Sequence, residues 1–208
     1  ARPAVVAPPR TPPLGRAAPR VLAIGGSTGA PPVLMTLFES LRGVTQPILV
    51  TQHMPAGFTS LLAEQLSRAG ERPCAEAKDG ETILAGRAYV APGGWHMTVA
   101  SGAGGPMIRL NQEPPEHFCR PAVDPMLRTA SEVYGNGLMA VILTGMGSDG
   151  AEGCRAVVEH GGRFIVQDEA TSVVWGMPGA AARTGLVEAV LPLDRISPYI
   201  RQAVGAAL

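Results

Sequence analysis

The sequence predicts an α/β domain: a doubly wound, mostly parallel sheet with helices on both faces and a short antiparallel edge. Three observations carry this expectation. Short apolar runs alternate with stretches of helical spacing along most of the chain, as repeated strand–helix–strand units require. Of the 208 residues, 46 % are hydrophobic and only 16 % charged, which supplies a core large enough to lie between two helical layers. Glycine-rich turns close several of the apolar runs, where a buried strand must hand over to a helix.

Residues 1–20 stand apart from this pattern. They hold four arginines, six prolines and no acid, the composition of an extended, solvated segment that cannot pack a core. A processed terminus is one reading; an interdomain linker ahead of a domain over 21–208 is the favoured one. Residues 20–24 then form a short buried strand stopped by Gly25 and Gly26. Residues 30–41 place Val33, Leu34, Leu37, Phe38 and Leu41 at helical spacing, with Pro31 and Pro32 suited to a first turn. Residues 47–52 read as a strand, and 59–69 as a helix with Leu61, Leu62 and Leu66 on one face. Residues 87–91, 97–100 and 107–111 are shorter strands; the alternation breaks over 85–111, and the antiparallel edge is expected there. A helix over 123–134, an apolar strand over 138–143 and a helix over 151–159 restore it. A strand over 163–167, a short helix near 178–183, a strand near 188–191 and a last helix from Asp194 complete the chain. Aromatics are only 4 %, so aliphatic side chains and methionines such as Met97, Met126 and Met139 are expected to fill the core.

The composition also excludes function classes. Formal net charge is zero, and with the arginine-rich arm set aside the remainder carries −4, so no nucleic-acid partner is expected. The longest apolar run, 138–143, is far short of the roughly 20 residues of a membrane span, so no membrane insertion is expected. Cys74, Cys119 and Cys154 form no close pair, which suggests reduced thiols in the cytoplasm and neither a disulfide frame nor a metal site. No cofactor is expected.

In open α/β sheets, ligands collect beyond the carboxyl ends of the strands. After the first strand comes Gly25-Gly26-Ser27-Thr28-Gly29, after the second His53, and after the long apolar strand Thr144-Gly145-Met146-Gly147-Ser148-Asp149-Gly150. Ser27, His53 and Asp149 are the three groups that nucleophilic acyl transfer needs: a hydroxyl, a base that takes its proton, and a carboxylate that orients the base. Residues 25–29 also satisfy G-x-S-x-G, whose glycines permit a sharp turn exposing the serine. Plainer readings exist. The glycine loop could hold a phosphate, although the G-x-G-x-x-G spacing is absent and the second strand ends in Gln52-His53 without an acid for a ribose. His53 could be a core histidine, and Asp149 a cap for the helix at Ala151. The order serine, histidine, aspartate differs from the usual α/β-hydrolase order, which would need His160 as base. His96 could line the cleft, and His117 reads as a surface loop residue. Trp95 and Trp175 could border the cleft or anchor loops.

Together, Ile24-Gly25-Gly26-Ser27-Thr28-Gly29, Gln52-His53-Met54-Pro55, Tyr89-Val90-Ala91-Pro92-Gly93 with His96, Arg120-Pro121-Ala122-Val123-Asp124 and Leu143-Thr144-Gly145-Met146-Gly147-Ser148-Asp149-Gly150 resemble the catalytic domain of the CheB-type chemotaxis methylesterases. The resemblance runs over roughly residues 20–203. It implies a Ser-His-Asp triad of Ser27, His53 and Asp149 that hydrolyses γ-glutamyl methyl esters on the cytoplasmic helices of methyl-accepting chemoreceptors and releases methanol. Deamidation of receptor glutamines occurs in many members. The family also implies supporting roles for Thr28 and Met146; a Met146 backbone N–H could donate to the oxyanion, and Thr28 could bond within the triad or start the helix. Ser148 and Ala30 depart from the family's frequent Asn and Gly. The family's catalytic domain follows a phosphorylatable receiver domain that covers the active-site edge, and that domain is expected to lie outside this chain. A general small-ester hydrolase and a non-catalytic signalling module of the same fold are the alternatives.

Overall fold

The structure, a computed structural model, describes residues 17–206; the expected linker lies almost entirely outside them. Seven strands form one parallel sheet in the order β3-β4-β2-β1-β7-β8-β9. In the chain these are β1 (Val21–Gly26), β2 (Ile48–Gln52), β3 (Cys74–Glu76), β4 (Ala88–Val90), β7 (Leu138–Ile142), β8 (Arg163–Gln167) and β9 (Ala189–Leu191). The antiparallel element is a separate two-stranded hairpin, β5 (His96–Gly102) with β6 (Gly105–Asn111). Residues 88–90, in the stretch where the antiparallel edge was expected, instead join the parallel sheet beside β2.

Six helices cover the sheet: α1 (Ala30–Ser40), α2 (Phe58–Gly70), α3 (Val123–Tyr134), α4 (Ala151–Glu159), α5 (Met177–Arg183) and α6 (Leu193–Val204). Because successive residues of a strand point to opposite faces, β1 feeds two cores. Leu22 and Ile24 pack with Leu34, Phe38, Leu66 and Ile200 on the side of α1, α2 and α6. Val21 and Ala23 pack with Met126, Leu127, Met177 and the hairpin residue Met97 on the other. All of β1, β2, β7 and β8 is buried, which is why each reads as an apolar run without alternation.

Two local expectations need correcting. Leu61 was assigned to the buried face of α2, yet it is exposed while Thr59, Leu62, Ala63 and Leu66 are buried. The edge strand β3 was not foreseen: Cys-Ala-Glu has no apolar alternation, and its extended form comes from pairing with β4, Cys74 opposite Ala88.

The strand order places the site. From β1 the chain proceeds outward through β2 to one edge, then returns to β7 on the other side of β1. β1 and β7 therefore flank the topological switch point, where open α/β sheets form their crevice. Register keeps the strand ends level, Gly26 opposite Gln52 and Gly25 opposite Ile142. The next residues are those singled out above.

Candidate active site

Ser27 is half-buried at the end of β1. Its N–H donates to Thr144 O (3.0 Å), and its carbonyl accepts from Ala30 N (3.0 Å) and from Gln52 Nε2 (2.9 Å). Gly29 then turns the chain into α1 at φ 81°, a left-handed geometry that glycine adopts without strain. His53 N–H donates to Gly26 O at 3.1 Å, so the backbones of the serine and histidine turns are stitched together. Gln52, only 3 % exposed, completes the stitch by also reaching His53 O at 3.2 Å.

Asp149 is 1 % exposed, and its Oδ2 lies 2.6 Å from His53 Nε2. The Val123 N–H donates to the same Oδ2 (2.6 Å) and the Asp124 N–H to Oδ1 (2.9 Å). The carboxylate thus sits on the N-terminus of α3, where free N–H groups and the helix dipole favour negative charge. Burial alone would raise its pKa, but the hydrogen bonds from His53 and Val123, with the charge of His53, hold it below the usual carboxylate range. Since Asp149 takes Nε2, Nδ1 is the ring nitrogen left to receive a proton. Ser27 stands on the same sheet edge; among the described residues no hydrogen bond joins its Oγ to His53.

Asp149 is a cap, but not for the helix that follows it. The N-terminus of α4 is served by Asp124, whose Oδ1 accepts from Gly150 N (3.0 Å) and Gly153 N (2.6 Å). Two buried aspartates thereby cap each other's helices. Burial and the charge of Asp149 push the Asp124 carboxyl above its ordinary range. His117 is not merely a loop residue: its Nε2 lies 2.7 Å from Asp124 Oδ2 and 3.9 Å from Asp149 Oδ1. One ligand-type atom each from His117, Asp124 and Asp149 falls within 4.8 Å of the others. These carboxylate oxygens already receive N–H groups of Val123, Asp124, Gly150 and Gly153, so the cluster is a capping network.

The loop after β7 closes on the serine. A Cβ at Gly145 would stand 2.8 Å from Ser27 Cβ and 2.4 Å from Met177 Sδ, so only glycine fits. Next to it, Met146 is exposed, and its N–H donates to no group among the described residues. Thr28 is exposed; its carbonyl accepts from Thr144 Oγ1 (2.9 Å), and its own hydroxyl has no hydrogen-bond partner among the described residues. Ala30 is buried, and Ser148 is exposed with its carbonyl accepting from Ala151 N, so neither departure from the family pattern disturbs the site.

A cleft of about 280 Å³ opens beside His53, between residues 53–55 and 118–121. His96 does not line it. It is a buried core histidine whose Nδ1 accepts from Ala122 N (3.2 Å), which makes Nε2 the donor to Pro114 O (3.1 Å). His160 ends α4 and its Nδ1 contacts Ala156 O. Trp175 anchors its loop through Nε1 to Gln167 O. Gln52, Asp124 and His117 are the residues whose parts here the sequence did not reveal. For Gln52 the available signal was a large polar side chain closing the buried strand β2.

Fold and site define a class: a doubly wound α/β domain with a serine, a histidine–aspartate pair and a glycine-flanked loop at its switch point. The chain belongs to the CheB methylesterase family, which matches residues 22–200. It is 57 % identical over 191 residues to the protein-glutamate methylesterase/protein-glutamine glutaminase of group 2 operon of Rhodospirillum centenum, covering 92 % of this chain and 48 % of that protein. It is 54 % identical over 196 residues to the protein-glutamate methylesterase/protein-glutamine glutaminase of Azospirillum brasilense, covering 93 % and 50 %. The crystal structure of the Thermotoga maritima CheB methylesterase catalytic domain superimposes with a TM-score of 0.86 at 38 % identity, covering 89 % of this chain and 99 % of that one. The chain spans about half the length of the curated relatives it matches. Among the described residues no helix is long and apolar enough to cross a membrane.

Proposed function

We propose that this chain hydrolyses γ-glutamyl methyl esters on the cytoplasmic helices of chemoreceptors. The observation that carries the reading is the 2.6 Å contact between His53 Nε2 and buried Asp149 at the switch point, on the same strand-end row as Ser27. Ser27 Oγ attacks the ester carbonyl while His53 Nδ1 takes its proton. Asp149 holds the ring in the tautomer that leaves Nδ1 free and stabilises the imidazolium. The Met146 N–H, on a loop pressed against Ser27, donates to the oxyanion; such a donor is worth roughly 3 kcal/mol in the transition state. Thr28 contributes through its backbone turn at the start of α1. Collapse expels methanol with the proton from His53, and water then attacks the acyl-serine with His53 as base, releasing glutamate. Deamidation of a receptor glutamine follows the same path with ammonia as leaving group, and the names of the relatives support that second activity.

The test is methanol release from methylated receptor membranes by this chain and by Ser27→Ala. Release by the parent and none by the variant is expected. Turnover of p-nitrophenyl esters at least equal to that of receptor would favour a general esterase, and no turnover of either would favour a signalling module. A receiver domain as regulatory partner belongs to the same proposal. This chain is expected to release methanol equally with and without acetyl phosphate and Mg²⁺, and stimulation by the donor would overturn that part.

A further inference from the structure

Residues 116–119 make a tight turn on the cleft wall opposite the strand ends. Its ends are closed by two backbone hydrogen bonds, Cys119 N to Glu116 O (2.8 Å) and Glu116 N to Cys119 O (3.2 Å). The two central residues have φ 51° (His117) and 62° (Phe118). Among the described residues only Glu71, at a helix end, is another non-glycine with positive φ. Turns of this form favour glycine and asparagine, and an aromatic residue there carries steric strain.

The strained form is held on three sides. His117 Nε2 is 2.7 Å from Asp124 Oδ2, Arg128 clasps the Glu116 carboxylate through both terminal nitrogens (2.9 and 2.6 Å), and the closing hydrogen bonds hold the base. What these contacts hold out is a phenyl ring that no described residue covers: Phe118 is 103 % exposed, more than any other large apolar side chain described, yet it borders the cleft beside His53. Strain kept in place by surrounding contacts at a site edge points to a use for the strained residue.

The cleft gives that use its chemistry. At about 280 Å³ it is at the small end of ligand pockets, so it admits an ester side chain and not the helix bearing it. The helix must rest on the rim. Arg120 lines the cleft beside Phe118, Cys119 and Pro121, and two further apolar side chains are exposed nearby in the chain: Phe58, just after the 53–55 wall, and Met146, on the loop against Ser27. The exposed aromatic and thioether groups suit the apolar stripe of an amphipathic helix, while the Arg120 guanidinium is held on the carbonyls of Gln112 and Glu113.

We propose that Phe118 is a substrate-positioning residue, whose ring packs on an apolar side chain of the α-helical substrate next to the ester. This rests on the methylesterase reading above. The anchor also ties docking to chemistry, because Asp124, which holds His117, donates its backbone N–H to Asp149.

The experiment compares Phe118→Ala, Phe118→Trp and Phe118→Gly with the parent chain on a methylated receptor cytoplasmic fragment and on p-nitrophenyl acetate. Phe118→Ala is expected to raise KM for the receptor about tenfold, the size of a buried aromatic contact, with a much smaller loss of kcat/KM on the small ester. Phe118→Trp should recover most of the receptor KM. Phe118→Gly should match the alanine loss while its melting temperature holds or rises, because glycine removes the strain. Equal losses on both substrates, no loss on either, or a Phe118→Gly protein that melts below the parent would overturn the proposal. So would a parent dimer in sedimentation that Phe118→Ala dissociates, since the ring would then serve self-association. A parent that hydrolyses p-nitrophenyl acetate but releases no methanol from receptor would overturn the functional reading itself, and this proposal with it.

Discussion

The two walls of the cleft are built differently. One is residues 53–55 at the end of β2, part of the row of strand ends in which Ser27 and Met146 follow β1 and β7. Those strands are buried throughout and locked by backbone register, and backbone bonds from His53 N to Gly26 O and Ser27 N to Thr144 O join the turns. The other is the irregular segment 112–122, tied by one backbone bond from Gly94 N to Arg120 O and otherwise to its surroundings by side chains: His96 to Pro114 and Ala122, Arg128 to Glu116, His117 to Asp124, with Arg120 bonding Gln112 and Glu113 within it. A wall set by sheet register tolerates changes in side chains that only carry chemistry. A wall set by polar side chains has a separate point of failure at each one. The strand-end wall should therefore separate activity from stability, and the irregular wall should couple them.

The largest effect should come from Ser27→Ala. Under the proposed triad, removal of a nucleophile that acts as part of a unit costs roughly 10⁶-fold in kcat, and adding His53→Ala should cost little more. Thermal unfolding should stay close to the parent, since Ser27 is fixed through its backbone. A large fall in melting temperature would break the comparison.

Asp149→Asn comes next, with a loss of roughly 10⁴-fold, because a neutral amide favours the wrong imidazole tautomer. Near-normal turnover by a folded Asn variant would leave Asp149 a helix cap and nothing more. The residue also has a pH signature. Its folded carboxyl is held below the usual range, so its stabilisation is present above the unfolded value, about pH 4, and disappears as pH falls through the lower folded value. Urea unfolding of the parent from pH 5 downward should lose stability that the Asn variant does not lose.

His96→Ala tests the irregular wall. The side chain is buried and satisfies Ala122 N, so its removal should cost about 2–4 kcal/mol of unfolding free energy. Loss of segment 112–122 should also raise KM for receptor more than for a small ester. A stable variant with unchanged KM would show that the segment holds itself.

The smallest effect belongs to Asp124→Asn, which keeps an oxygen for Gly150 and Gly153 N–H. The Asp124 carboxyl is raised by burial and by Asp149, so its contribution is full below about pH 4 and is lost as pH rises through the folded value. The Asn variant should therefore gain on the parent as pH increases from 4 to 7 in urea unfolding. The reverse trend would mean that the ionised form is the one the fold favours.

The sheet's central strands, the helices that cover it and the three residue types at strand ends are legible in local sequence patterns. Each depends on a local pattern: an apolar run in β1, β2 and β7, helical spacing in α1 and α3, glycines at 25, 26, 145 and 147. Tertiary structure alone decided what those patterns meet. β3 is a strand because β4 lies beside it. Asp149 caps α3 while Asp124 caps α4, an exchange across 25 positions that no spacing rule encodes. His117 gains a carboxylate partner and His96 is buried because the hairpin and segment 112–122 pack on α3. Local periodicity reports which side of an element is apolar, and that is set by the residues themselves. Which polar groups converge depends on the order of strands in the sheet, and that order is chosen by the burial of the whole chain.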